Sequence, residues 1–210
     1  MTENKLLTAA EYADQKLDLP ENGRWTELVA GQIVTYSPPD DDHGNVVLNL
    51  VLAFSKFAHK TGRGYACFDI GLIVRRAPDT VRCPPACFFL DGERFAEIDN
   101  LIAITRPTVV VEIASTNDRR TKMEVKVEQY LELGVRLVWV IDPHEKQVHV
   151  FEPNRISKRY NETKTLYGGA AFEGFETPVA DLFALPSWWE QRASKNGKSH
   201  DAGGPGTEKV

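Results

Sequence analysis

Glu112 lies within PTVVVEIA (residues 107–114), a nearly all-apolar run rich in β-branched residues. An unpaired carboxylate buried there would be expensive, so it must meet either a cationic metal or a basic side chain such as Lys126. A metal site and a structural ion pair are both open readings. The densest basic segment follows, Arg119, Arg120, Lys122 and Lys126, with Glu124 and Glu128 among them. At a helix start, free backbone amides would add to its attraction for phosphate; the plainer reading is a solvated first turn. Cys83 and Cys87 lack the companion pair that zinc requires and read as buried thiols. No nucleophile elbow, phosphate-binding glycine loop or paired-cysteine redox motif occurs, which weighs against the matching hydrolase, nucleotide-binding and oxidoreductase classes.

The elements that must carry these residues follow from periodicity. Thr8 and Glu11 have capping-box spacing at the head of a short helix, TAAEYADQKL. WTELVAGQIVTY reads as a hairpin turning at Ala30-Gly31, closed by Ser37-Pro38-Pro39. After the acidic turn Asp40 to Asp42, apolar residues recur at helical spacing over Asn45 to Lys60. YACFDIGLIV, CFFL and PTVVVEIA are strand-like and are expected to share one sheet. A helix from about Arg119 to Leu133 should turn Met123, Val127, Tyr130 and Leu131 inward and end at Gly134, before the buried strand LVWVID. VHVFE and the edge strand RYNETKTLY come next, and FETPVADLFA closes the domain. The pattern is α/β: a mixed, curved sheet with two main helices packed on it.

The chain has 210 residues, 42% hydrophobic and 26% charged, enough for one domain with a real core. That domain is expected over 1–189, with 190–210 a disordered tail of almost no apolar content. No apolar run is long enough to span a bilayer and MTENK lacks the features of a secretory signal, so the expected location is cytoplasmic, away from membranes and without disulfides among Cys67, Cys83 and Cys87. The net charge of −5 does not favour a polyanion over the whole surface, so any nucleic-acid contact must be local.

Several segments in order, ELVAGQIV with SPPDDDHG, DTVRCPPACFF, PTVVVEIAST and KVEQYLELGVRLVWVIDP, resemble the Uma-type restriction endonucleases, a branch of the PD-(D/E)XK nuclease superfamily, over roughly residues 8 to 186. The resemblance implies a restriction-endonuclease-like core that hydrolyses DNA phosphodiesters with Mg²⁺ or Mn²⁺. Such a site needs acidic oxygens for a hard cation and a lysine against the developing negative charge. By resemblance, Glu27 and Glu112 are the metal ligands. Glu112 and Lys126 are catalytic, Lys126 lying four residues before Tyr130 in place of the superfamily lysine where Ala114 stands, and His43 assists. Glu27 read alone could equally be an exposed cross-strand partner, and His43 a cap on the long helix.

One departure bears on all of this. The family pattern places the metal-bridging aspartate where this chain has Pro85, in Val81-Arg82-Cys83-Pro84-Pro85. Proline offers no side-chain oxygen and no backbone donor. Lys122 also stands where an acidic residue is common. Asp69 and Asp79 are the nearby candidates for a substitute ligand. The resemblance therefore implies either an impaired endonuclease with weak metal binding or an inactive nuclease fold that binds DNA or a protein partner. It also implies a homodimer, since a double-strand cutter presents two related sites.

Overall fold

The computed structural model describes residues 5–92, 97, 100–187 and 189; the expected tail, 190–210, lies outside them. Helix α1 (Ala9–Lys16) opens on the expected capping box, Thr8 and Glu11 each accepting the other's backbone N–H. Strands β1 (Thr26–Val29) and β2 (Gln32–Thr35) form the hairpin, with Ala30 (φ 49) and Gly31 (φ 77) both in the left-handed conformation that matches strand twist. Then come α2 (Asp41–Thr61), β3 (Tyr65–Cys67), β4 (Leu72–Arg75), β5 (Thr80–Arg82), β6 (Ala86–Phe89) and β7 (Val109–Ile113). The chain continues through α3 (Asn117–Arg120), α4 (Met123–Leu133), β8 (Leu137–Asp142), β9 (Gln147–Phe151) and β10 (Lys158–Asn161). It ends with β11 (Thr165–Tyr167), β12 (Glu176–Pro178) and α5 (Val179–Phe183).

The main sheet is mixed, ordered β10-β9-β8-β7-β6-β3, with β7 and β8 parallel and joined through α3 and α4. Side-chain alternation on β7 divides the core. Val109, Val111 and Ile113 pack with Val46, Leu50, Phe54 and Phe57 of α2 and with Phe172 and Phe175. On the opposite face, Val110 and Ala114 pack with Met123, Val127 and Tyr130 of α4. Glu112 shares this second face. The fold class is thus the expected one, with α2 and α4 on opposite sides of a mixed sheet.

Four details differ. YACFDIGLIV does not stay in one sheet: Asp69 takes positive φ (53), the chain turns, and β4 joins a separate antiparallel sheet ordered β2-β1-β5-β4. The helix expected from Arg119 is broken into α3 and α4. Thr121 Oγ donates to the Asp118 carbonyl (3.1 Å), which a continuous helix would offer to the Lys122 N–H; that N–H bonds Arg119 O instead. Helix α2 starts four residues earlier than Asn45, because Asp40 acts as N-cap and accepts the His43 N–H (2.9 Å). RYNETKTLY divides into β10, at the edge of the main sheet, and β11, paired with β12. Gly134 ends α4 as expected, at φ 89. No helix among the described residues is long and apolar enough to cross a membrane.

Candidate active site

The two sheets meet across α4, and their charged side chains meet there too. Glu27 comes from β1, Arg82 from β5, Glu112 from β7 and Lys126 from α4, all buried. Lys126 Nζ lies 2.8 Å from Glu27 Oε1 and 3.1 Å from Glu112 Oε1. Arg82 Nη1 donates to Glu27 Oε2 (2.7 Å) and its Nε to Gln129 Oε1 (2.9 Å). Two tyrosines complete the shell: Tyr36 OH donates to Glu27 Oε2 (2.8 Å) and Tyr130 OH to Glu112 Oε1 (2.6 Å). The Cys83 N–H reaches Glu27 Oε1 at 3.2 Å.

Glu27, Lys126 and Arg82 hold one another ionised. Burial acts to raise the Glu27 carboxyl, but Lys126 and Arg82 outweigh it and keep it below the ordinary carboxylate value. Glu112 is raised by burial, with Lys126 opposing. Burial would lower the Lys126 ammonium, yet Glu112 and Glu27 together raise it. Burial, then Glu27, push the Tyr36 phenol up to about 12. Two carboxylates facing two cations make the cluster neutral.

These residues do not fit a hard divalent ion. Both Glu27 oxygens are already taken, by Lys126 and the Cys83 amide on one side and by Arg82 and Tyr36 on the other. Glu112 Oε1 serves Lys126 and Tyr130. Ala86 pairs with Val111 across β6 and β7, so continuing that register by one residue sets Pro85 opposite Glu112, where a carboxylate would be needed. Among the described residues, no group of three or more His, Cys, Asp or Glu is arranged to hold a metal.

The remaining candidates go elsewhere. Asp79 accepts the N–H of Ala9 (2.7 Å) and of Ala77 (3.3 Å) and pairs with Arg76, clipping α1 to the β4–β5 turn. Asp69 is exposed in the turn after β3. Cys83 follows β5 while Cys87 sits in β6, so they do not share a strand. Of the basic segment, Arg119 donates to Ser37 O (2.9 Å), Arg120 pairs with Asp142 and Lys126 is in the network, leaving Lys122 exposed and outside it. Half of the segment, Arg119 and Lys126, is thus turned into the protein, while Arg120 and Lys122 stay at the surface. Glu27 is not the exposed strand partner its sequence context allowed.

His43 stands in the first turn of α2 with Nδ1 3.1 Å from Ser115 Oγ. Burial, then Arg119, lower its pKa to about 4 against the weaker pull of Asp40. The unfolded chain therefore binds a proton near pH 6.5 that the folded chain refuses until about pH 4, so stability falls as pH drops through that window. In urea titrations at pH 6.5 and pH 4, His43→Gln should lose less stability on acidification than the wild type. An equal loss would show that His43 is not held neutral.

Arg82, Tyr36, Gln129 and Tyr130 carry polar roles that the sequence reading did not assign. The available signal was a charged residue flanked by Val81 and Cys83 in a short strand-like run, a carboxylate's natural partner.

A crystal structure from Anabaena variabilis ATCC 29413, described as a "putative nuclease belonging to DUF820", matches with a TM-score of 0.68 at 20% identity, covering 84% of this chain and 97% of that one. At that identity the likeness establishes the fold. No curated protein matches the chain. The family described as "Uma2: Putative restriction endonuclease" matches residues 11–180, a span that holds every member of the network, and the chain belongs to that family.

Proposed function

We propose that this protein is an endonuclease-family member whose catalytic centre has become a self-neutralised ion network, so that it does not hydrolyse DNA with Mg²⁺ or Mn²⁺. The observation that carries the reading is the engagement of both Glu27 oxygens by Lys126, Arg82, Tyr36 and Cys83. A hard cation is normally drawn to net negative oxygen ligands, and here it would have to displace two buried cations first. Pro85 supplies nothing in exchange. The protein then acts by binding, with DNA the expected partner from its family. Its net charge of −5 and the engagement of Arg119 and Lys126 inside the protein make that binding weak.

The test is plasmid cleavage in Mg²⁺ or Mn²⁺ by wild type and Glu112→Ala, alongside fluorescence anisotropy with labelled duplex DNA. The wild type should leave supercoiled plasmid intact. Robust cutting that disappears in Glu112→Ala would overturn the proposal and turn attention to Asp69 as a replacement ligand.

A further inference from the structure

Helix α2 is apolar on two sides. Its inner row packs on the main sheet, yet Leu48 (44% exposed) and Leu52 (61%) stand on the outside, flanked by Val51 (38%). Leu48, Leu52, Ser55 and His59 recur at alternating four- and three-residue steps, the spacing of a helix–helix seam. The row continues onto the end of α5: Asn45 and Asn49 both donate to the Ala184 carbonyl, and the next residue, Leu185, is 49% exposed. On its other flank, a depression of about 240 Å³ between α2 and β3, lined by Val51, Ser55, Ala58, His59 and Phe68 among others, is shaped to take a protruding side chain. An exposed apolar cluster of Leu48, Val51, Leu52 and Leu185, bordered by polar groups on a charged protein, marks an interaction surface.

The charges along α2 identify the occupant. Its first turn carries Asp41 and Asp42, and its last turns carry Lys56 and Lys60. Antiparallel packing of two such helices about a two-fold axis between Leu48 and Leu52 sets Leu48 against Leu52 of the second copy. The same operation sets the acidic end of each helix beside the basic end of the other. One patch is then complementary to itself, which is what an isologous dimer requires.

We propose that the outer face of α2 is a homodimer interface, occupied by α2 of a second copy in antiparallel orientation. This goes beyond the proposed function and does not depend on it. It also specifies an arrangement. The ion network lies on the α4 side of the main sheet, so a dimer through α2 puts both sheets and both α2 helices between the two networks. With layers spaced by roughly 10 Å, the two sheets stand about 30 Å apart and the networks face away from each other. Two cutting sites closing on one duplex would need the opposite arrangement.

Sedimentation equilibrium of the full chain at tens of micromolar should give twice the 23.5 kDa of one chain. Leu52→Glu, at an exposed position, should give the single-chain mass with an unchanged circular dichroism spectrum. Reversing the acidic end (Asp41→Lys with Asp42→Lys) or the basic end (Lys56→Glu with Lys60→Glu) should each weaken association by about tenfold or more, and combining all four substitutions should restore it. A wild type that remains at 23.5 kDa overturns the proposal. So does a dimer that survives Leu52→Glu, or a fourfold variant no tighter than its two parents.

Discussion

Replacing Arg82 with alanine should lower folding stability by about 3–5 kcal/mol, the usual cost of removing one partner from a buried ion pair. The side chain is 5% exposed and reaches from β5 to Glu27 of β1 and Gln129 of α4. Its loss leaves Glu27 and Glu112 sharing Lys126, an enclosed net negative charge, and strips the Gln129 carbonyl of its donor. Arg82→Lys keeps the charge but cannot span both acceptors with one ammonium, so its loss should be smaller. The pH dependence separates this from simple loss of packing. Lys126 and Arg82 hold the Glu27 carboxyl below its ordinary value against burial, so its contribution is present above the unfolded value of about 4.3 and is lost as pH falls through the folded one. Without Arg82, Glu27 can escape its unpaired charge by protonation. The gap between wild type and Arg82→Ala in urea midpoints should therefore narrow between pH 7 and pH 3.5. A constant gap would mean that volume, not charge, is what Arg82 contributes.

Pro85→Asp should convert the neutral network into one that responds to metal. In register, the new carboxylate would stand opposite Glu112 and leave the cluster with one negative charge in excess. With chelator present, that charge has no partner, and the variant should melt below the wild type. In millimolar Mn²⁺ it should recover, because binding to the folded state alone stabilises it by mass action. Calorimetric titration should show Mn²⁺ affinity at least about tenfold above wild type, or about 1.4 kcal/mol. If the wild type is stabilised by Mn²⁺ as much as the variant, another ligand already completes the site.

What the sequence made legible follows the strength of local patterns. PTVVVEIA read as a covered strand, and burying Glu112 there called for either a metal or a cation such as Lys126; the structure has Lys126 3.1 Å away. Gly134 marked the helix end because a left-handed cap favours glycine. Beyond its β1–β2 hairpin the second sheet was not legible: β4 and β5 are short, and the turn that separates β4 from β3 takes its positive φ at Asp69 rather than at a glycine. Arg82 was hidden for a related reason. Its partners lie 47 and 55 residues away in sequence, and no periodicity reports a contact of that range. The break between α3 and α4 rests on a single threonine hydroxyl competing for one carbonyl.

The neutrality of the ion network also limits which substitutions the fold can absorb. Each member is held by an opposite charge, so any single substitution toward a metal-holding centre first passes through a folded state with a charge left over. Placing an aspartate at position 85 creates surplus negative charge before any cation has been recruited, and removing Arg82 to make room does the same. Both steps lose stability before either could gain activity, and natural proteins have only a narrow margin to lose. The arrangement works as a ratchet: with the cations settled onto both glutamates, a metal-holding centre is reached only by two changes at once.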